Sequence, residues 1–329
     1  MHGSGEHAPR GGHGSREQQV GHVSVLLKEA IEFLAVKPGG TYIDATVGLG
    51  GHSFELARRL GPRGRLIGLD KDPKALAIAR ERLQPPAGME DNWPVVELIN
   101  ASFARVAEFV CENEADGLLT DLGLSSLQLA DAARGFSFQA EGALDMRMDP
   151  GAPMTAEQAV NQLSERELAD LIYEFGEERR SRRIARAIVR SRPIRTSKQL
   201  AEVVAAAAGP MKPGRIHPAT QTFQALRIFV NRELDDLRAL LFGAPGVLRG
   251  GGRLVTISFH SLEDRIVKDA FRDGAQAGCY RLLTKKPVTA SEEEVEQNPR
   301  SRSAKLRAVE KVVGNVQNIA PRHNERKQL

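Results

Sequence analysis

Apolar positions in the first part of the chain switch repeatedly between two periods. Over 24–35 the residues Val25, Leu26, Ile31, Phe33 and Leu34 recur at helical spacing, and Pro38-Gly39-Gly40 ends the run. Short apolar runs then alternate with helix-period segments, predicting strands at 41–46, 65–70, 94–100 and 116–122 and helices at 51–60, 72–83 and 103–112. Leu66-Ile67-Gly68-Leu69 and Gly117-Leu118-Leu119 show no polar alternation, the pattern of strands covered on both faces. Strict alternation of strand and helix predicts a mostly parallel sheet with helices on both sides, because parallel neighbours are joined by right-handed crossovers.

Near Ala130 the alternation stops. Up to Pro218 only helical periods occur, at 155–163, 164–175, 177–191 and 196–208, with Pro193, Gly209-Pro210 and Pro213-Gly214 as breakers. A long helix over 220–242, a strand over 253–259, a helix over 262–272 and a last strand over 306–312 restore the α/β pattern. The pattern predicts an α/β domain formed by 22–130 and 219–329, interrupted by an all-helical insertion over 131–218. Residues 1–21 are rich in Gly, His and Ser without apolar period, so a disordered tail is expected there.

Charge refines this picture more than bulk composition does. Among 329 residues the net charge is only +4, but eight arginines fall between Arg179 and Arg195, and Arg300, Arg302, Lys305 and Arg307 follow Pro299. Single arginines of this kind are solvated and pair with acids such as Glu177 and Glu178; clusters favour a polyanion, since phosphate contacts dominate non-specific nucleic-acid affinity. Apolar runs fall far short of the roughly 20 residues needed to span a bilayer, so no membrane partner and a cytoplasmic location are expected. Cys111 and Cys279 have no paired spacing, and neither a metal site nor a disulfide framework is expected.

The candidate chemistry begins at Asp44-Ala45-Thr46-Val47-Gly48-Leu49-Gly50-Gly51-His52-Ser53, where a strand breaks into a glycine loop. In a dinucleotide site such a loop presents N–H groups to a pyrophosphate, which a carboxylate at Asp44 would oppose. Ser53 also stands where the third glycine of G-x-G-x-x-G belongs. A cationic nucleoside cofactor, S-adenosylmethionine, suits the acid better, whereas an NAD-dependent dehydrogenase does not. Asp70 ends the second strand, where a carboxylate can accept the hydroxyls of a ribose, although Asp72 beside it is the better helix cap. Asp44, Asp70 and Asp121 should meet at the carboxyl edge of the sheet. Phe103 is placed to cover an adenine face or simply to join the core. Asp121 could accept hydrogen bonds from a substrate amine or hold the cofactor's amino group. In 257–265, Ser261 suits a helix cap and His260 either a structural or a catalytic histidine.

Many ordered blocks together carry a resemblance. They include His22-Val23-Ser24-Val25-Leu26-Leu27, 44–53, 121–128, 134–138, 144–150, Gly176-Glu177-Glu178, Ile184-Ala185-Arg186-Ala187-Ile188, His217-Pro218-Ala219-Thr220, Thr222-Phe223-Gln224-Ala225, 258–268 and 298–303. The chain resembles the bacterial 16S rRNA (cytosine-N4)-methyltransferase family, RsmH or MraW, from His22 onward. The resemblance implies a class I S-adenosylmethionine-dependent methyltransferase of Rossmann-like fold with a helical insertion for substrate recognition. It implies methylation of a cytidine N4 amine in the decoding region, with 16S rRNA or the small ribosomal subunit as partner. It places Gly50, Gly51, His52, Asp70, Phe103, Asp121 and Gln128 at the cofactor, with Asp44 and Gly48 as secondary candidates. Asp121 is the candidate catalytic group, and Arg147, Ser258 and His260 are candidates for substrate contact. The family usually has Pro and Asp where this chain has Leu127 and Ala130, and Trp where Phe229 stands. A non-catalytic RNA-binding assembly factor is the alternative, disfavoured by the intact Asp44, Gly48, Gly50, Asp70 and Asp121.

Overall fold

The computed structural model describes residues 24–139, 141–209 and 217–314. The expected tail and the breakers Pro210 and Pro213-Gly214 lie outside the described residues. In chain order the elements are α1 (Leu27–Leu34), β1 (Thr41–Asp44), α2 (Gly51–Leu60), β2 (Arg65–Asp70), α3 (Pro73–Arg82), β3 (Val95–Asn100), β4 (Ala115–Asp121) and α4 (Ser126–Ala130). The helical segment holds α5 (Ala156–Gln162), α6 (Glu165–Gly176), α7 (Ser181–Arg190), α8 (Ser197–Ala208) and α9 (Ala219–Asn231). There follow α10 (Glu233–Val247), β5 (Leu248–Ser258), α11 (Ser261–Gln276), β6 (Tyr280–Leu282), α12 (Glu292–Gln297) and β7 (Lys305–Lys311).

The strands form one sheet in the order β3-β2-β1-β4-β5-β7-β6. Pairing is parallel from β3 through β5, and β7 alone runs against its neighbours β5 and β6. This is the expected class I methyltransferase sheet. Both faces are covered: Tyr42, Leu66, Leu119 and Val255 pack into one apolar cluster, and Ile43, Ile67, Leu118 and Leu254 into another. Residues of alternate parity along each strand serve opposite faces, which is why these strands read as unbroken apolar runs. The order reverses between β1 and β4, and the crevice for a ligand opens there, beyond the carboxyl ends of the strands.

Three elements differ from their sequence pattern. Over 103–112 only a 3₁₀ turn, Phe103–Glu108, forms. The Ser102 side chain accepts the Ala104 N–H at 3.1 Å, and the Arg105 N–H bonds to the Ser102 carbonyl, setting the tighter pairing. The helix expected over 220–242 breaks at Arg232, whose φ of 54° is left-handed. Asn231 just before it is pinned by its side chain to the Met146 carbonyl at 2.7 Å and the Met148 N–H at 2.7 Å. The helix expected over 177–191 starts only at Ser181, because Glu177 closes α6 in the left-handed region. The short α4, with a reciprocal Ser125–Gln128 cap, has too few residues to show a period. The helical core also runs further than the expected insertion: Phe223, Leu226 and Val230 of α9 pack with Leu168, Ile172, Ile184 and Val204.

A single buried carboxylate joins the helical segment to the sheet. Asp72 caps α3 by accepting the Lys74 N–H at 3.0 Å, and its other oxygen accepts Gln128 Nε2 at 3.0 Å and Arg134 Nη1 at 2.7 Å. Arg134 continues to the carbonyls of Arg147 at 2.8 Å and Met148 at 2.9 Å, so the 144–150 loop is tied to the second crossover. Removing one member of a buried pair leaves the other charge uncompensated, which costs roughly 3–5 kcal/mol. Asp72→Ala should therefore lower the stability of the chain by about that much, as read in urea unfolding. A loss below about 1 kcal/mol, within the range of surface pairs, would remove Asp72 from this role.

Candidate active site

Three acids end adjacent strands. Asp44 ends β1 between its neighbours, while Asp70 and Asp121 lie two residues further along on β2 and β4, as the pairings Asp44 to Gly68 and Asp44 to Leu119 require. Above them lies a cavity of about 370 Å³. Gly48, Gly51, His52, Asp70, Phe103, Asp121 and Gln128 all face it.

The loop after β1 is folded by its own acid. Asp44 is buried beneath the cavity rather than on its wall, accepting the Thr46 N–H at 3.1 Å and the Ser53 hydroxyl at 2.6 Å. Gly50 is also off the wall: it caps α2 with φ at 78°, a left-handed conformation that glycine adopts without strain. Gly51 lies close to Ser24: a Cβ there would stand 1.9 Å from Ser24 Oγ, so that hydroxyl would have to turn away. Asp70 is oriented by two backbone N–H groups, Gly48 at 2.7 Å and Asp72 at 2.8 Å. His52 Nε2 meets the Val25 carbonyl at 3.0 Å, which assigns the proton to that nitrogen and leaves Nδ1, 3.7 Å from Asp121 Oδ2, as an acceptor.

Burial dominates the electrostatics. It lifts the Asp44 carboxyl to about 6 against the hydrogen bonds from Ser53 and Thr46, with Asp70 adding to the rise. The Asp70 carboxyl is likewise pushed up to about 6 by burial and by Asp72, against the Asp72 and Gly48 N–H groups and Lys71. Asp121 is held well above the ordinary carboxylate range by burial and by the charges of Asp44 and Glu263. Its Oδ1 has no hydrogen-bond partner among the described residues.

The other candidates sit elsewhere. Arg147 forms a two-bonded fork on Asp145, both contacts at 2.8 Å, and donates to the Pro150 carbonyl at 2.6 Å, which braces its own loop. Ser258 is buried and bonds to the Lys305 carbonyl at 3.3 Å. His260 caps α11 and lies 3.1 Å from Glu263. None of the three lines the cavity. Residues not named as cofactor or substrate candidates also line it: Lys71, Met148, Arg227, Glu233 and Arg300. Glu263 joins them from the 257–265 segment, where only Ser258, His260 and Ser261 stood out in the sequence.

The two basic clusters also separate. On and before α7, Arg179, Arg182, Arg183 and Arg190 are exposed and form no ion pair among the described residues. After Pro299, Arg300 turns to the cavity and bonds to the Ser126 hydroxyl at 2.8 Å, while Lys305 and Arg307 pair with Asp264.

Residues 19–312 match the model of the MraW methylase family. The chain belongs to the MraW methylase family. Similar MraW-type relatives are each described as ribosomal RNA small subunit methyltransferase H. One from Koribacter versatilis is 66% identical and covers 92% of this chain and 96% of its own. That from Acidobacterium capsulatum is 61% identical, covering 88% of this chain and 98% of its own. A third, from Sorangium cellulosum, is 50% identical over 89% of this chain and 91% of its own. The cofactor of such a methylase, S-adenosylmethionine, carries a cationic sulfur and a cationic amine. Two acids on the wall, one with an oxygen that has no partner among the described residues, and a third buried beneath them fit that ligand.

For the empty protein the same acids are a liability at neutral pH. A carboxyl whose folded pKa exceeds its unfolded value near 3.9 stabilises the fold at low pH, and that stabilisation is lost as pH rises through the folded pKa. For Asp44 the window lies between about 4 and about 6. The melting temperature of Asp44→Asn relative to the unsubstituted chain should therefore shift in the variant's favour as pH rises from about 5 to about 7. A difference that stays constant over that range would contradict the buried-acid account.

Proposed function

We propose that this chain methylates the N4 amine of a cytidine in the decoding region of 16S rRNA, acting on the RNA or on the small subunit that contains it. The observation that carries the proposal is the cavity at the switch point, walled by Asp70 and Asp121 with Asp44 buried beneath it, in a chain of the MraW methylase family. The names of its relatives supply the RNA, and the blocks that match the cytosine-N4 enzymes supply the base.

Bound in the cavity, S-adenosylmethionine supplies a methyl group activated by a positively charged sulfur. Asp70 would receive the ribose hydroxyls, with its carboxylate fixed in direction by the Gly48 and Asp72 N–H groups. Phe103 would cover the adenine face, and the Gly51-His52 wall with Gln128 would close the pocket. The N4 amine of cytidine shares its lone pair with the ring and is a weak nucleophile, so positioning matters most; well-oriented groups gain roughly 7–11 kcal/mol. Asp121 would fix the amine through its unpartnered Oδ1 and take the proton the amine loses on methylation. His52 Nδ1, 3.7 Å from Oδ2, is the next acceptor along that path. With a cation bound beside it, Asp121 would be drawn towards the ionised form that can accept a proton.

The target base must leave its stack to reach such a cavity. The exposed arginines around α7 offer the phosphate contacts that hold RNA while it does so.

RNA from a strain deleted for this gene should lack N4-methylated cytidine in the decoding region, as read by mass spectrometry of nuclease fragments. The unsubstituted gene should restore it, and Asp121→Asn should restore about 1% or less of the initial rate, since proton transfer contributes roughly 10²–10⁴-fold. Unchanged N4 methylation in the deleted strain would sink the proposal.

A further inference from the structure

Arg227 reaches the cavity from α9 and is gripped by Glu233 from α10. The carboxylate takes Nε at 2.8 Å and Nη2 at 2.9 Å, and the two side chains are only 15% and 10% exposed. A guanidinium held in this fork keeps one nitrogen in hand, and Nη1 makes no hydrogen bond among the described residues. An ion pair that merely braced the junction of α9 and α10 would not need to present its guanidinium to a cavity. Glu263 stands in the electrostatic field of both Arg227 and Asp121, and its carboxylate is fixed by the Phe259 N–H at 2.8 Å. The cavity thus offers an acceptor at Asp121 on the sheet side and a fixed donor at Arg227 on the helical side, with Glu263 close to both.

That pairing complements one pyrimidine. Along its pairing edge cytosine presents the N4 amine as donor, then N3 and O2 as acceptors, whereas uracil presents O4 as acceptor and N3–H as donor. A flipped base is read on this edge, and a buried polar group facing the wrong partner is left unpaired. We infer that Arg227 is a specificity-determining residue, aimed by Glu233 so that Nη1 donates to the acceptors of the target cytosine while Asp121 faces its amine. The same N–H opposes the N3–H of uracil. The inference rests on the cytidine substrate proposed above.

3-Deazacytidine, in which a C–H replaces N3, isolates the contact. Cytidine and 3-deazacytidine are titrated into the full chain loaded with S-adenosylhomocysteine, and binding is followed by NMR. Cytidine should bind at least about tenfold more tightly, the effect of losing one hydrogen bond to a charged donor. In a folded Arg227→Gln variant the preference should fall close to one. Equal affinity of the unsubstituted chain for both nucleosides, no saturable binding of cytidine, or a preference that survives in Arg227→Gln would each overturn the inference. The comparison within the unsubstituted chain stands even if the variant does not fold. If RNA carries the N4 methyl group while the two nucleosides bind equally, only the role of Arg227 falls; if the RNA never carries it, the cytidine proposal itself falls.

Discussion

Asp44, Asp70 and Asp121 are held together at the ends of three adjacent strands, and their mutual repulsion under burial shapes the rest of the site. Asp44 and Asp70 are steadied by neutral donors, not by a cation pressed against them: the Thr46 N–H and Ser53 hydroxyl on Asp44 and two backbone N–H groups on Asp70, while His52 turns an acceptor nitrogen towards Asp121. Such dipoles fix direction without neutralising charge. At an effective dielectric of about 20, a unit positive charge roughly 4 Å from one carboxylate is worth about 4 kcal/mol. A cationic ligand set among three therefore has a strong reason to bind, and a neutral product a weaker one. The glycine loop follows from this arrangement, because its geometry places N–H groups on Asp70 and leaves the cavity above open.

The helical segment depends on the same edge of the sheet. Asp72, two residues after Asp70, accepts from Gln128 and Arg134, and Arg134 holds the loop that Asn231 pins from α9. Through that chain of contacts the position of α9, and with it Arg227 and Glu233, is referred back to the end of β2. Cofactor wall and helical wall are thus built from a common anchor.

Much of this was legible in the residues. Strands buried on both faces leave unbroken apolar runs, and acids that close such runs must lie at the carboxyl edge, so the sheet and the meeting of Asp44, Asp70 and Asp121 followed from pattern alone. Ser53 in place of a glycine, with Asp44 upstream, already pointed away from a pyrophosphate. What stayed hidden depends on distant contacts. Arg227 and Glu233 fall within the single helix expected over 220–242, and the break at Arg232, beside the pinned Asn231, puts them on separate helices joined by their ion pair. Arg300 belonged by composition to a basic cluster, yet the fold separates it from Lys305 and Arg307, which pair internally. Arg147, His260 and Ser258, candidates for substrate contact, are instead engaged in bracing a loop, capping α11 and packing beside β7, contacts that no local pattern shows.

The central claim is that the three acids at and beneath the cavity are built for a cation, and proton release on binding tests it most directly. With Asp44 and Asp70 at about 6 in the empty site, a cationic ligand must displace protons as it binds near that pH. Calorimetry of S-adenosylmethionine and S-adenosylhomocysteine in buffers of different ionisation enthalpy counts those protons. The account predicts net release with S-adenosylmethionine near pH 6 and distinctly less with the product, whose sulfur is uncharged. No release, or equal release with both ligands, would contradict it.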